Sequence, residues 1–253
     1  MLGETDVVSV PDIPGNKPII LWITCQGVTV LDFSQTAVLF PGHGSQTPDM
    51  RPLVAAVRPD LLDAACELVG EDPFPRVEES PRFADPAILC ASLAMWTRLR
   101  DHVHPVALAG HTLGEFSALA AAGALSDLDA LRLVVLRGDH ALGVADAVDS
   151  PQMQDAVAPF RAALGEVVFE APQIPVISCT TAAQFADPAT GLAEALVSPV
   201  RWRDTMTTLD VLGVDQYVDV GPGRVLSKLA PRCIKGASAL TAETILEDIS
   251  APV

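Results

Sequence analysis

A chain of 253 residues, 49% apolar and 19% charged, is long enough to bury one large core and too apolar to be disordered. Its net charge of −16 argues against nucleic acid and anionic membrane surfaces as partners. An anionic substrate stays open, because one arginine at a site outweighs a distant acidic surface.

The cysteines (Cys25, Cys66, Cys90, Cys179, Cys233) are scattered, with no Cys-x-x-Cys pair. They read as reduced thiols, neither a disulfide framework nor a metal site. The histidines show no ligand spacing, so metal catalysis has little support. Glu4 and Asp6 near the start are wrong for a signal peptide. The apolar run from Pro18 to Val30 is broken by Thr24, Gln26 and Gly27 and is too short to span a bilayer. The expected location is the cytoplasm.

In chain order, Met1 to Lys17 carries Pro11, Pro14 and Gly15 and reads as a loose leader, and Ile19 to Val30 is either an added strand or poorly ordered. Thr36 to Phe40 reads as a strand, cut by the turn Pro41-Gly42-His43-Gly44-Ser45-Gln46, which places a ligand site at the strand's carboxyl end. The bland alternative is a phosphate cradle, but no Gly-Lys-Ser/Thr follows, which argues against a P-loop. Leu53 to Leu68 has helical spacing. Ala87 to Leu99 reads as a second helix, with Asp85 as N-cap and Pro86 in the first turn. Further helices are expected over Asp127 to Arg137, over Asp146 to Leu164 with Pro159 as a kink, and within Gly191 to Leu209 around Pro199. Ile174 to Cys179 and Gln216 to Val220 read as strands, and Gly221-Pro222-Gly223 turns the latter into a helix from Val225 to Leu229. Alternating strands and helices predict an α/β fold with a mainly parallel sheet. The expected division is a leader or extra strand over 1–34, an α/β domain over 35–235 and a C-terminal tail over 236–253.

The apolar run Val106 to Ala109 leads into Gly110-His111-Thr112-Leu113-Gly114 and then a helical run, Ser117 to Leu125. This is the layout of a nucleophile elbow, a sharp turn that lifts one side chain between a strand end and a helix N-terminus. Gly110 and Gly114 remove Cβ atoms that would collide in so tight a turn. The following helix N-terminus offers backbone N–H groups to an oxyanion. The nucleophile position holds Thr112, whose β-branch restricts χ1 and crowds the turn.

Several separated stretches, in order, resemble the malonyl-CoA:acyl-carrier-protein transacylases and the acyltransferase domains of polyketide synthases. They are Phe40-Pro41-Gly42-His43-Gly44-Ser45-Gln46, Asp85-Pro86-Ala87-Ile88-Leu89, Gly110 to Leu119, Ala122-Gly123-Ala124-Leu125-Ser126, Arg137-Gly138, Ser198-Pro199-Val200-Arg201-Trp202 and Val220 to Leu226. They cover roughly residues 36 to 235. The resemblance implies an α/β-hydrolase-like core and a two-step transfer. An elbow serine takes the malonyl group from malonyl-CoA, and the phosphopantetheine thiol of an acyl carrier protein then removes it. Malonyl-CoA and the carrier protein would be substrates and partners, with no bound cofactor, in fatty-acid or polyketide biosynthesis.

Carried over by position, Thr112 takes the nucleophile's place, and Leu113 and His43 supply the oxyanion's backbone N–H groups. Arg137 matches the arginine that grips the malonyl carboxylate, a task suited to a two-pronged guanidinium. Asp149 falls where the family has its catalytic histidine, and a carboxylate of ordinary pKa is a poorer base for a hydroxyl. His140, about one helical turn after Arg137, and the imidazole of His43 are the candidate replacement bases. Only Gly138 to Val148 separates Arg137 from Asp149, whereas the family carries a small ferredoxin-like subdomain there, which is therefore expected to be missing. Two readings stand: a shortened transacylase acting through an acyl-enzyme on Thr112, and a catalytically impaired or inactive homologue that binds or scaffolds in the same pathway. A hydrolase using the same elbow is the third.

Overall fold

The computed structural model describes residues 8–9, 20–24, 27–31, 35–140 and 153–250. Near the start, β1 (Val8–Ser9), β2 (Ile20–Thr24) and β3 (Gly27–Leu31) form an antiparallel sheet of their own. The stretch expected to add one strand thus supplies two, with Trp22 opposite Thr29.

The main domain begins with β4 (Thr36–Phe40), all of whose residues are buried. There follow α1 (Met50–Val57), α2 (Pro59–Val69), α3 (Pro81–Leu99), β5 (Ala107–Gly110), α4 (Gly114–Ala121), α5 (Asp127–His140) and α6 (Gln154–Gly165). The remainder is β6 (Val176–Ile177), α7 (Pro188–Ala195), α8 (Trp202–Val211), β7 (Gln216–Asp219), α9 (Val225–Cys233), β8 (Ser238–Thr241) and α10 (Ala242–Ser250). Five strands form one sheet in the order β6-β5-β4-β7-β8, every pair parallel. The expected α/β fold with a parallel sheet is the fold observed.

Both faces of this sheet are covered, which is why its strands read as nearly unbroken apolar runs. Side chains alternate between the faces. Val38, Phe40, Leu108 and Val218 enter the larger core with α1 to α7 and α10, whereas Ala37, Leu39, Ala109 and Tyr217 meet Trp202, Met206 and Leu226 of α8 and α9. The chain starts at central β4, steps outward through β5 and β6, then returns to the other side for β7 and β8. The crevice at such a reversal, beyond the strands' carboxyl ends, is where open α/β sheets bind ligands. The turns after β4, β5 and β7 all lie there.

Three expectations are corrected. The single helix over Leu53 to Leu68 is two, because Arg58 precedes Pro59 and proline pushes its predecessor out of the helical region; Arg58 sits at φ −137°, ψ 64°. Helix α3 starts behind Ser80 with Pro81 in its first turn, so Asp85 is no N-cap and Pro86 lies inside the helix. Fifteen of its nineteen residues are buried, so no one-sided apolar stripe marked its true start. Residues 238–250, within the expected tail, supply the edge strand β8 and helix α10, whose Ile245 and Leu246 enter the core. Among the described residues no helix is long and apolar enough to cross a membrane.

Candidate active site

The elbow forms where β5 ends. His111 N–H donates to the carbonyl of Phe40 at 2.9 Å, Gly114 N–H to His111 O at 2.9 Å and Glu115 N–H to Thr112 O at 3.0 Å. Thr112 stands at φ +52°, the left-handed region that costs a β-branched residue most. A Cβ on Gly114 would strike the carbonyl oxygen of Phe40, and one on Gly42 would lie 2.5 Å from both Thr112 Oγ1 and His111 O. The turns after β4 and β5 are therefore in backbone contact, and the Thr112 hydroxyl faces the first of them.

A strap from the segment after β6 holds the elbow from the other side. Thr112 N–H donates to Cys179 Sγ at 3.3 Å, and Cys179 N–H donates to Glu115 Oε1 at 2.7 Å. Glu115 and Cys179 are both buried. In sequence Cys179 is one of five scattered cysteines and Glu115 one residue of the elbow motif. Their meeting joins elements 64 residues apart, which local sequence does not reveal.

Leu113 sits just ahead of α4 with helical backbone angles. Neither its N–H nor that of His43 donates to any acceptor among the described residues. One donor belongs to Thr112's chain neighbour, and the other follows Gly42, whose Cβ position lies 2.5 Å from Thr112 Oγ1. That is the supply an oxyanion needs.

The imidazole of His43 points elsewhere. Its Nδ1 lies 3.1 Å from Asp85 Oδ1, while Asp85 Oδ2 accepts from Arg137 Nη1 at 3.0 Å. Asp85 is 1% and Arg137 3% exposed, whereas His43 is 47% exposed. The hydrogen bond that the imidazole donates to Asp85 raises the His43 pKa above its ordinary 6.5, partly offset by burial. In sequence Asp85 reads as a helix N-cap and as the start of a motif; its contact with the expected carboxylate-binding arginine is the part sequence reasoning missed.

His140 closes α5; its side chain, and the whole of Asp149, lie outside the described residues. His111 sets its ring edge against Trp202, centroids 5.0 Å apart, and His102 and His104 are exposed. The third turn is fixed by buried Asp219, which accepts from the N–H groups of Leu226 at 2.8 Å and Ser227 at 2.9 Å. Among the described residues no group of three His, Cys, Asp or Glu side chains is placed to hold a metal ion.

No family model matches the chain. It is 30% identical to the polyketide biosynthesis protein ThaF of Burkholderia thailandensis, over 83% of this chain and 25% of that protein. It is 26% identical to the malonyl CoA-acyl carrier protein transacylase of Salmonella typhimurium, over 85% of this chain and 96% of the relative. That alignment spans 304 positions against the 253 residues of this chain, so the relative carries residues within the matched span that are absent here. Among solved structures, the acyl carrier protein S-malonyltransferase of Vibrio cholerae superposes with a TM-score of 0.75 at 25% identity, over 82% of this chain and 96% of the other.

Proposed function

Within the malonyl-CoA:acyl-carrier-protein transacylase family, to which this chain belongs, we propose that the chain is a shortened acyltransferase. It moves a malonyl or related acyl group from coenzyme A to the phosphopantetheine thiol of an acyl carrier protein in fatty-acid or polyketide synthesis. The observation that carries this reading is the elbow itself. A hydroxyl stands at the carboxyl end of the central sheet, facing the turn after β4, and the backbone N–H groups of Leu113 and His43 have no acceptor among the described residues.

The chemistry follows from that arrangement. Thr112 Oγ1 attacks the thioester carbon and gives up its proton to a base. The N–H groups of His43 and Leu113 hold the negative oxygen of the tetrahedral intermediate. The C–S bond then breaks, the coenzyme thiol leaves with a proton, and an ester remains on Thr112. In the second step the carrier thiol attacks that ester, and Thr112 recovers its hydrogen. By position the base is Asp149, with His140 the alternative. No bound cofactor enters either step.

The test is acylation of the purified chain. Incubation with malonyl-CoA should add one acyl mass to the intact protein, removable by hydroxylamine and absent in Thr112→Ala. An unlabelled protein after long incubation at high concentration would refute the enzyme reading. The second reading, a non-catalytic binding partner, is favoured by the strained Thr112. It predicts carrier-protein association without turnover.

A further inference from the structure

The acyl pocket of a malonyl-selective site needs a positive charge that the acyl carboxylate can meet. Here the arginine at that position already meets a carboxylate. Arg137 Nη1 is 3.0 Å from Asp85 Oδ2, and both side chains are nearly sealed from water, at 3% and 1% exposure. Among the described residues the buried pair of Asp85 and Arg137 is thus balanced in charge. The imidazole that touches Asp85, that of His43, sits at the exposed end, where solvent screens any charge it carries. A malonyl carboxylate entering here faces Asp85 as well as Arg137, and like charges brought together in a desolvated site repel strongly. An uncharged acyl group meets no such opposition.

We propose that Asp85 is a specificity-determining residue, which by neutralising Arg137 opens the site to uncharged short acyl thioesters alongside malonyl. This rests on the acyl-transfer reading and names the acyl class within it. Asp85 acts through Arg137; the reacting atoms stay with Thr112 and the two N–H groups. The bond changes are those already given, with an acetyl or propionyl group in place of malonyl.

The experiment compares acetyl-CoA with malonyl-CoA as acyl donors, following acyl-enzyme formation by intact-protein mass. The wild-type chain should be acylated by the two thioesters at rates within tenfold of each other, or faster by acetyl-CoA. Asp85→Asn, which keeps the shape and removes the charge, should move the rate ratio at least tenfold toward malonyl-CoA. A wild-type preference for malonyl-CoA above a hundredfold, or an unchanged ratio in a folded Asp85→Asn protein, overturns the proposal. If Asp85→Asn does not fold, the wild-type ratio decides alone. A calorimetric arm separates this failure from that of the transfer reading. Thr112→Ala protein should bind the two thioesters within tenfold, whether or not the wild-type chain forms an acyl-enzyme. Malonyl-CoA bound more than a hundredfold tighter overturns the proposal even where transfer occurs, and binding of neither thioester overturns both.

Discussion

Asp219 offers a quantitative test of the turn that follows β7. It is buried, and its oxygens accept from the N–H groups of Leu226 and Ser227 in the first turn of α9, and from Gly221 N–H at 3.4 Å. Burial outweighs these hydrogen bonds and raises its pKa from 3.8 to about 6. The folded chain therefore holds this proton to higher pH than the unfolded chain does. The resulting stabilisation is complete below the unfolded pKa and is lost as the pH rises through the folded one. At about pH 5, one unit below the folded pKa, it amounts to roughly 1.4 kcal/mol, and at about pH 7.5 it is gone. Asp219→Asn does not titrate, and its amide cannot accept from all three N–H groups, a loss of about 1 kcal/mol at every pH. Urea unfolding of both proteins should show the variant less stable throughout, with the gap about 1.4 kcal/mol wider at about pH 5 than at about pH 7.5. A gap that stays constant, or narrows toward low pH, would refute the assignment of the raised pKa to this carboxyl.

Thr112→Ser removes the methyl group from a residue at φ +52°. It should stabilise the chain by about 0.5–1 kcal/mol in chemical denaturation and speed acylation in the mass assay. Gly42→Ala would place a Cβ 2.5 Å from Thr112 Oγ1, so acyl labelling should disappear while far-UV circular dichroism stays close to wild type. Phe160 is fully buried with its ring edge-on to Phe116, centroids 6.2 Å apart. Phe160→Ala should cost about 3–5 kcal/mol, seen as a lower urea midpoint at unchanged slope. His43 should titrate above 6.5 by NMR because of Asp85, and lower in Asp85→Asn. The stability contributed by that contact is full below pH 6.5 and lost as the pH rises through the folded pKa. A midpoint at or below 6.5 would place the imidazole away from Asp85.

What the chain reveals by itself depends on whether a signal is local. The turns after β4 and β5 were legible because glycines at fixed spacing leave a mark in sequence whatever surrounds them. The sheet was legible because both its faces are apolar. The start of α3 was not, since a helix buried on all sides has no polar stripe to show where it begins. The junction at Arg58 carried its signal in Pro59, which the apolar periodicity across it concealed. Edge strand β8 has exposed or half-buried positions except Thr241, so its four residues did not stand out from a tail. The candidate site divides in the same way. Thr112, Leu113, His43 and Arg137 were placed from chain order. The contacts of Asp85 with residues 42 and 52 positions away, and the strap from Cys179 to Glu115, are products of the fold.

The contact between the first two turns is made mostly by backbone atoms: a carbonyl of Phe40 against the α-carbon of Gly114, and Gly42 against His111 and Thr112. Such a frame is built without the side chains of positions 43 and 85, and it meets position 112 through the hydroxyl that serine and threonine share. A lineage can therefore exchange a serine for threonine, or place an acid beside the arginine, without losing the architecture. Likeness in those turns reports the fold, and the side chains at positions 43, 85 and 112 carry chemistry that the turns alone do not fix.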